Sequence, residues 1–336
     1  MSIPPVSCCP GTLAEGFTTY SPACLRQLFN GKRVSHLLPY EQPQRDEVVA
    51  GFFLENRKRI SISGVQEKES LLLDRNQLRL TQAGEQGTYM LKPIPRDVLK
   101  VDQVPANEHL TMQIARQVYG IDTAANALVF FQDGAPAYLT KRFDVKPDGT
   151  KWGVEDFASL AGKTNQNAGP TFKYTYSYEE AGLLIRQYVA AWRVEIERYF
   201  RLVVFNFLFS NGDAHLKNFS LLESAYGDYL LSPAYDLLNT HLHVDDTDFA
   251  LDNGLFADGY RSAIFTRTNH PGLSDFTEFG RRIGVADRRI EPLLAPFRER
   301  QASVSRLVDR SFLNESSKRA YLLHYNTKRN FLNQLG

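Results

Sequence analysis

Apolar residues in the first half of the chain occur in short runs separated by turn-forming residues, a pattern that is typical of β-strands. The runs predict strands over residues 70–74, 78–81, 88–93, 125–132 and 135–144. Two of the connections favour hairpins, because Arg75-Asn76-Gln77 is short and polar and Asp133-Gly134 is a strong signal for a tight turn. Residues 1–55 are irregular, apart from one short helix predicted over residues 22–29.

One helical segment interrupts these strands. It is predicted to begin near Asn107 and to end at Gly120, because glycine favours the C-terminal cap of a helix. From about residue 148 the pattern is mainly helical, and it is strongest over residues 178–189 and 194–209. Apolar positions surround most of the second of these segments, which predicts a buried helix that leads directly into Asn211-Gly212-Asp213. Two short strands are predicted to follow, over residues 219–222 and 229–232.

The order of these elements predicts the fold class. Strands come first and helices later, so an α+β protein with two lobes fits better than a doubly wound sheet, in which strands and helices would alternate throughout. We expect an N-terminal extension at residues 1–55, a strand-rich N-lobe at residues 56–147 and a helical C-lobe at residues 148–336.

Composition excludes several classes of protein. The 336 residues carry a formal net charge of +1, which is not the signature of a dedicated nucleic-acid binder. No run approaches the roughly 18 apolar residues of a membrane span, and the N-terminus lacks the features of a signal peptide. All three cysteines, Cys8, Cys9 and Cys24, lie near the N-terminus, and an odd, clustered set is not a disulfide framework. We therefore expect a protein of the reducing cytoplasm.

Three polar residues after the buried helix indicate phosphoryl transfer. Asp213 and Asn218 are separated by four residues, and Asp236 follows the two short strands. Phosphoryl transfer requires a carboxylate to orient or deprotonate the attacking hydroxyl, and oxygen ligands for Mg²⁺ beside the phosphates. A kinase catalytic loop meets both needs with the spacing of Asp213 and Asn218. The spacing alone is a weak signal, but the buried helix before it and Asp236 after it strengthen the prediction.

The strand-rich region supplies candidates for binding phosphates, each with two interpretations. Lys92 ends a predicted strand, where it could reach ATP phosphates or face solvent. Glu108 is expected in the first turn of the following helix, where it could pair with Lys92 or complement the helix dipole. Residues 57–68, which we call the phosphate loop, contain a single glycine. Backbone N–H groups near Ser63 and Gly64 could cradle phosphates there, although the basic residues of the loop would equally suit a solvated face.

The combination resembles the HipA-like serine/threonine kinases of bacterial toxin–antitoxin systems. The matching stretches are residues 61–68, 107–109, 141–144, 211–220 and 232–236, in the order and rough spacing of the family. The resemblance covers about residues 56 to 300. It implies a bilobal protein-kinase-like fold.

The resemblance also implies roles for individual residues. Asp213 would be the catalytic aspartate, and Asn218 and Asp236 would bind Mg²⁺. Lys92 would contact the ATP phosphates, with Glu108 as its partner, and the segment from Lys141 to Phe143 would meet adenine. Ser61 would be the autophosphorylated loop serine, with Ser63 as a second candidate.

The part of the chain before the phosphate loop bears on the type of kinase. Only about 55 residues precede the matching region, which resembles the short HipT-like kinases, in which a separate small protein supplies the missing subdomain. The family implies a helix-turn-helix antitoxin as partner, DNA contact through that antitoxin, and an aminoacyl-tRNA synthetase as substrate. Some relatives suggest a small zinc site near the N-terminus, but without a fourth evident ligand beside Cys8, Cys9 and Cys24 we favour free thiols.

Two other functions remain open from sequence. A small-molecule or lipid kinase would use the same aspartate and asparagine for base and metal. A kinase fold without activity could serve as a binding module, but it would be expected to have lost Lys92, Asp213 or Asp236, and all three are present.

Overall fold

The computed structural model describes residues 6–42, 68–96 and 98–334. Ser61, Ser63 and Gly64 of the phosphate loop lie outside the described residues, as does the predicted boundary between residues 55 and 56.

The N-lobe is built on a five-stranded antiparallel sheet with the order β2-β1-β3-β5-β4. Its strands are β1 (Glu69–Asp74), β2 (Gln77–Leu80), β3 (Tyr89–Lys92), β4 (Asn126–Phe130) and β5 (Pro136–Lys141). Both predicted hairpins are present, since β1 pairs with β2 and β4 pairs with β5. The pairing of β3 with β5 places Lys92 opposite Tyr138. Lys92 thus lies near the centre of the sheet, at the end of its strand.

Each face of this sheet is covered by a different part of the chain. Helix α2 (Val104–Gln117) packs on β4 and β5, and its residues from Val104 to Ala115 are all buried. The opposite face packs against residues 6–42, which contain helix α1 (Pro22–Phe29) and contribute Tyr20, Leu28 and Phe29 to a core shared with the sheet. The irregular N-terminal region is therefore part of the N-lobe core, although the sequence predicts it as an extension.

Backbone hydrogen bonds attach this N-terminal region to the outer edge of β4. The amide of Leu128 donates to the carbonyl of Pro10 at 2.8 Å, and the amide of Phe130 donates to His36 at 2.8 Å. The amide of Leu38 in turn donates to the Phe130 carbonyl at 2.8 Å. The edge of β4 is thus paired, and an exposed strand edge of this kind would otherwise invite aggregation.

The C-lobe is mainly helical. Its longer helices are α5 (Tyr178–Tyr188), α6 (Trp192–Leu208), α8 (Leu273–Ile283), α9 (Asp287–Arg298), α10 (Ala302–Arg310) and α11 (Glu315–Leu332). Three shorter helices are α3 (Phe157–Leu160), α4 (Asn165–Ala168) and α7 (Ala263–Thr268). Helix α6 lies at the centre, in contact with α5, α8, α9 and α11, as its predicted burial requires. No helix in the described ranges combines the length and apolarity needed to cross a bilayer.

A small second sheet lies next to the first turns of α6, where the amide of Leu231 donates to Glu195 at 2.9 Å. It has the order β6-β7-β8, formed by β6 (Val154–Asp156), β7 (Ser220–Glu223) and β8 (Tyr229–Leu231). The chain leaves α6, forms the loop that carries Asp213, passes through β7 and β8, and reaches Asp236. The two lobes are joined nearby, because the amide of Ala234 donates to Asp122 and the amide of Ala124 donates to Ala234.

Candidate active site

A cavity of about 590 Å³ is lined by residues of both lobes. The N-lobe contributes Lys92 from β3 and the segment after β5, and the C-lobe contributes Asn218 and Asp236. Glu108 does not line this cavity, but it contacts Lys92, which does. Asp213 does not line it either, but it contacts Tyr174, the neighbour of the lining residue Lys173. The sequence-predicted residues that the structure describes therefore converge on one place.

Lys92 is the centre of the convergence. Its ammonium donates a hydrogen bond of 2.6 Å to Oε1 of Glu108 and a second, very short one to Oδ1 of Asp236. Lys92 is buried, and it also stands over the ring of Tyr138, 5.4 Å from its centroid. Glu108 can reach Lys92 because α2 begins at Val104, three residues before the predicted start, so that Glu108 lies in its second turn. Between the two interpretations of Glu108, the geometry supports the ion pair with Lys92.

Burial and charge act in opposite directions within this cluster. Burial opposes the Lys92 ammonium, but Asp236 and Glu108 outweigh it and raise the pKa of Lys92 above its ordinary value. Burial would raise the pKa of Asp236, yet Lys92 and Lys68 lower it to about 2. Burial raises the pKa of Glu108 to about 7, because one ammonium cannot fully compensate two buried carboxylates. Asp236 is consequently the firmly ionised carboxylate of the cluster.

The conformation of Asp236 is unusual. Its φ angle of 55° lies in the left-handed region, which non-glycine residues seldom adopt and which is often found at functional sites. Oδ2 accepts a 3.1 Å hydrogen bond from the side-chain amide of Asn218. The preceding residue, Tyr235, is held in place because its hydroxyl donates a 2.9 Å hydrogen bond to the Lys217 carbonyl. These contacts fix the Asp236 carboxylate between Lys92 and residues 211–218, which we call the catalytic loop after the predicted role of Asp213.

The donor set around Asp236 suits Mg²⁺. A carboxylate and a neighbouring side-chain amide supply hard oxygen ligands, which this ion prefers. Asp236 is ionised, Asn218 is in contact with it, and both line the cavity. Asn218 and Asp236 are therefore the residues that would hold the ion.

Asp213 lies on the loop between α6 and β7. Its Oδ1 accepts a 3.1 Å hydrogen bond from the hydroxyl of Tyr174, and Nε2 of His215 lies 4.0 Å from the same oxygen. Burial lowers the pKa of His215 to about 4, and Asp213 opposes this only in part. A neutral imidazole thus adjoins Asp213, and the carboxylate is oriented by a tyrosine from another segment.

The loop that carries Asp213 is held in place by Thr240. The hydroxyl of Thr240 accepts a 2.8 Å hydrogen bond from the amide of Gly212 and donates one of 3.0 Å to the Ser210 carbonyl. A Cβ atom at Gly212 would lie 2.4 Å from a carboxylate oxygen of Asp246. Glycine is therefore required here, because the loop packs directly against the chain that follows Asp236.

The segment predicted to meet adenine borders the cavity. Lys141 and Phe143 both line it, and the ring of Phe143 lies 5.9 Å from that of Tyr235. The amide of Lys141 donates to Ala125 at 2.8 Å, and its ammonium donates to the side chain of Asn30 at 2.8 Å. The segment therefore has the position expected of a connection between lobes.

Charge distinguishes this cavity. Six cationic side chains line it, namely Lys68, Lys92, Lys141, Arg142, Lys173 and Lys217, whereas two carboxylates, Asp144 and Asp236, do so among the described residues. Such an excess of positive charge suits a polyanionic ligand. Sequence reasoning missed Lys173 and Tyr174. Aromatic residues recur at every second position from residue 172 to 178, which marks the region but would be interpreted as a strand.

The cysteines lie away from this cavity. Cys8, Cys9 and Cys24 are buried thiols that form no disulfide. The sulfur of Cys9 accepts hydrogen bonds from the amides of Ser21 at 3.1 Å and Gly11 at 3.4 Å. In the described ranges, no group of three or more His, Cys, Asp or Glu side chains is arranged to hold a metal ion.

Related sequences extend along most of the chain. A Haemophilus influenzae protein named "Putative kinase" is 25% identical over 339 residues, which is 96% of this chain and 94% of that protein. A Sinorhizobium fredii protein named "Putative kinase Y4dM" is 32% identical over 228 residues, or 63% of this chain. That match covers 53% of the Sinorhizobium protein, so this chain corresponds to about half of its length.

Two solved structures share the fold. HipA of Shewanella oneidensis, solved in complex with HipB and operator DNA, aligns over 87% of this chain and 71% of its own, with a TM-score of 0.63 and 19% identity. The Helicobacter pylori proinflammatory kinase CtkA aligns over 78% of this chain and 93% of its own, with a TM-score of 0.50 and 13% identity. The predicted α+β kinase-like fold is thereby confirmed.

The family model described as the HipA-like C-terminal domain matches residues 60–304. This range is well over half of the chain and contains Lys92, Glu108, Asp213, Asn218 and Asp236. The resemblance found in the sequence is therefore confirmed, and the chain belongs to the HipA-like kinase family.

Proposed function

We propose that this chain is an ATP- and Mg²⁺-dependent serine/threonine protein kinase that acts as the toxin of a bacterial toxin–antitoxin system. The observation that carries the proposal is the contact of Lys92 with both Glu108 and Asp236 at a cavity rich in positive charge. These three residues are far apart in sequence, and phosphoryl transfer by kinases uses a lysine–glutamate pair together with an aspartate that binds Mg²⁺. The kinase names and titles of the relatives agree with it.

Each of these residues has a separate role in the proposed reaction. Lys92 contacts the phosphates of ATP, and Glu108 holds its ammonium in place. Asp213 orients the substrate hydroxyl and accepts its proton while the hydroxyl oxygen bonds to the γ-phosphorus. The bond from the γ-phosphorus to the bridging oxygen breaks, and its electron pair leaves with ADP. Mg²⁺ bound by Asn218 and Asp236 would supply charge neutralisation at the phosphates.

The finer points of the proposal rest on the family resemblance. We take the protein substrate to be an aminoacyl-tRNA synthetase, so that phosphorylation stalls translation in the bacterial cytoplasm. We expect a helix-turn-helix antitoxin as partner, with DNA bound through it, and a small protein as a second partner. The crystal structure of the Shewanella protein with HipB and operator DNA supports an antitoxin partner.

Regulation is proposed to reside in the phosphate loop. Phosphorylation of Ser61 or Ser63 adds up to about two negative charges beside a site meant for ATP phosphates. Repulsion would lower the affinity for ATP or displace the loop. The kinase would then switch itself off by autophosphorylation.

The function is tested by incubating the purified protein with Mg-ATP, alone and with candidate synthetases, and by mapping phosphosites with mass spectrometry. We expect phosphate on a loop serine and on a synthetase, and a loss of at least about 100-fold in rate for Asp213→Gln, because the base is removed. Asp245→Asn, which removes an exposed carboxylate of the same lobe, should keep the wild-type rate.

Several results would contradict these proposals. Transfer by Asp213→Gln at the wild-type rate would refute the role of Asp213. Phosphorylation of metabolites or lipids, with no protein hydroxyl modified, would favour the small-molecule kinase. Phosphate on neither Ser61 nor Ser63, or equal ATP affinity of the modified and unmodified protein, would refute loop regulation.

A further inference from the structure

Residues 169–176 lie beside the catalytic loop without forming a helix or a strand. Backbone hydrogen bonds hold this segment from two sides. The carbonyl of Lys173 accepts from the amide of Leu216 in the catalytic loop at 3.1 Å, and the carbonyl of Tyr174 accepts from the amide of Asp252 at 2.9 Å. The position of Lys173 relative to the catalytic loop is thereby fixed.

The side chains of this segment point to the reacting groups. Lys173 lines the same cavity as Lys92, Asn218 and Asp236. Its ammonium lies 5.1 Å from the ring centroid of Tyr174, whose hydroxyl donates to Asp213. One segment therefore orients the proposed base and, at the next residue, presents a cation to the cavity.

Two other cations of the cavity are already paired or largely exposed. Lys92 is bonded to two carboxylates. The side chain of Lys217 is 49% exposed and lies 3.9 Å from a carboxylate oxygen of Asp156. Within the described ranges, no carboxylate lies within ion-pair distance of the Lys173 ammonium, although it is partly buried.

The electrostatic surroundings of Lys173 favour an anionic partner. Burial lowers the pKa of Lys173, and the fields of Asp213 and Asp236 oppose this while those of Lys217 and Lys68 add to it. A hydrogen bond to a charged oxygen stabilises a partly desolvated ammonium that has no ion pair more than it stabilises a hydrated surface lysine. The cavity places this ammonium near the carboxylates that would flank a γ-phosphoryl group.

We propose that Lys173 is a catalytic residue that donates a hydrogen bond to the γ-phosphoryl group during its transfer, and this rests on the proposed kinase function. Negative charge is spread over the oxygens of that group as the bond to ADP breaks. Lys173 stabilises this charge and exchanges no proton. Tyr174 is a positioning residue that acts through Asp213.

The test uses Lys173→Met and Lys173→Arg in the full chain, with Lys163→Met as the matched control. Lys163 also stands over a tyrosine of the segment, Tyr176, at 5.6 Å, but it does not line the cavity. Two quantities are measured for each protein: the turnover and KM for Mg-ATP, and the affinity for ADP with and without aluminium fluoride, which mimics the transferring group.

Lys173→Met should lower turnover by about 100-fold, the effect of removing one donor to a transition state, with little change in KM. The variant should lose the extra affinity for ADP that aluminium fluoride confers. It should still bind ADP alone within about twofold of the wild-type affinity. This combination is expected of a residue that binds the transferring group in the transition state. Lys173→Arg should retain part of the turnover and part of the extra affinity in aluminium fluoride. Lys163→Met should behave as wild type in both measurements.

Unchanged turnover and aluminium fluoride affinity in Lys173→Met would overturn the proposal. So would an equal loss of affinity for ADP alone, because that would indicate a structural or general binding role. If the wild-type protein transfers no phosphate, the kinase proposal fails, and the aluminium fluoride comparison still decides the role of Lys173.

Discussion

At the scale of single residues, two opposing effects act on Glu108, namely its ion pair with Lys92 and its burial. Glu108 must hold the Lys92 ammonium, yet burial raises its pKa from 4.5 to about 7 because Asp236 already compensates the same cation. The native protein thus retains a proton on Glu108 at pH values where the unfolded chain has released it. Through this group alone, the free energy of unfolding falls as pH rises from about 4.5 to about 7.

Glu108→Gln should abolish this contribution. Relative to wild type, the free energy of unfolding of the variant should rise between pH 5 and pH 7.5, by on the order of 1–3 kcal/mol, and level off above that. Urea unfolding curves at several pH values measure the difference, and Glu155→Gln, on the exposed part of β6, should give a profile parallel to wild type. A Glu108→Gln profile that also runs parallel to wild type would contradict the prediction.

Single residues also show what sequence can and cannot reveal about the site. Asp213, Asn218 and Asp236 could be predicted as candidate site residues because their spacing lies within a local run of elements. Lys173 and Tyr174 were not, because they precede the catalytic loop by two helices and act through tertiary contacts such as that of Tyr174 with Asp213. The pairing of Lys92 with Glu108 was left open by the sequence and required the packing of α2 on the sheet.

At the scale of elements, helix α2 links three parts of the molecule through consecutive residues. Asn107 donates to the Asn239 carbonyl at 2.8 Å, Glu108 binds Lys92, and the ring of His109 is hydrogen-bonded to the Gly11 carbonyl at 3.0 Å. The motif at residues 107–109 therefore connects the C-lobe, Lys92 and the N-terminal region. The sequence signalled the motif but not its partners, which lie up to 136 residues away.

Element boundaries were predicted well where local signals exist. The predicted helix over residues 22–29 agrees with α1, which Ser21 caps at its N-terminus. Helix α2 begins earlier than predicted, with Pro105 in its first turn, a position that proline favours. Strand β6 was not predicted, because three residues give too little pattern and its pairing with β7 is set by the fold.

The loop that carries Asp213 depends on Thr240, a residue of the segment after Asp236. Thr240→Val removes a hydroxyl that serves both Gly212 and Ser210, so that the Gly212 amide loses its partner and the Ser210 carbonyl keeps only the backbone amide of Thr240. We expect the free energy of unfolding to fall by about 1–3 kcal/mol and the phosphotransfer rate to fall more than ATP affinity does.

Thr240→Ser keeps the hydroxyl and is the control for this prediction. Thermal unfolding and single-turnover transfer are measured for both variants. If Thr240→Val and Thr240→Ser differ neither in stability nor in rate, the hydroxyl doesn't support the loop.

At the scale of the whole molecule, the two lobes followed from the order of strands and helices, but the place of residues 6–42 did not. These residues complete the N-lobe through pairing with β4, about 90 residues or more further along the chain. Local patterns carry no information on such pairing. The same applies to the links between Asp122, Ala124 and Ala234 that bring Asp236 next to Lys92.

Histidines with lowered pKa values impose a pH limit on the whole fold. Burial lowers the pKa to about 4 for the buried His109, His215 and His243 and for the half-buried His324. In the unfolded chain each would titrate near 6.5. Between these values the unfolded chain binds more protons than the native protein does, so stability that is present above pH 6.5 is lost as pH falls toward 4. Glu108 opposes this trend, but it is one group against four.

The free energy of unfolding should therefore decrease steadily from pH 7 to pH 5 in urea titrations. His109→Gln retains a donor for the Gly11 carbonyl but cannot titrate, so its stability should depend less steeply on pH, by up to one proton taken up on unfolding. Equal slopes for wild type and His109→Gln would show that His109 titrates alike in both states.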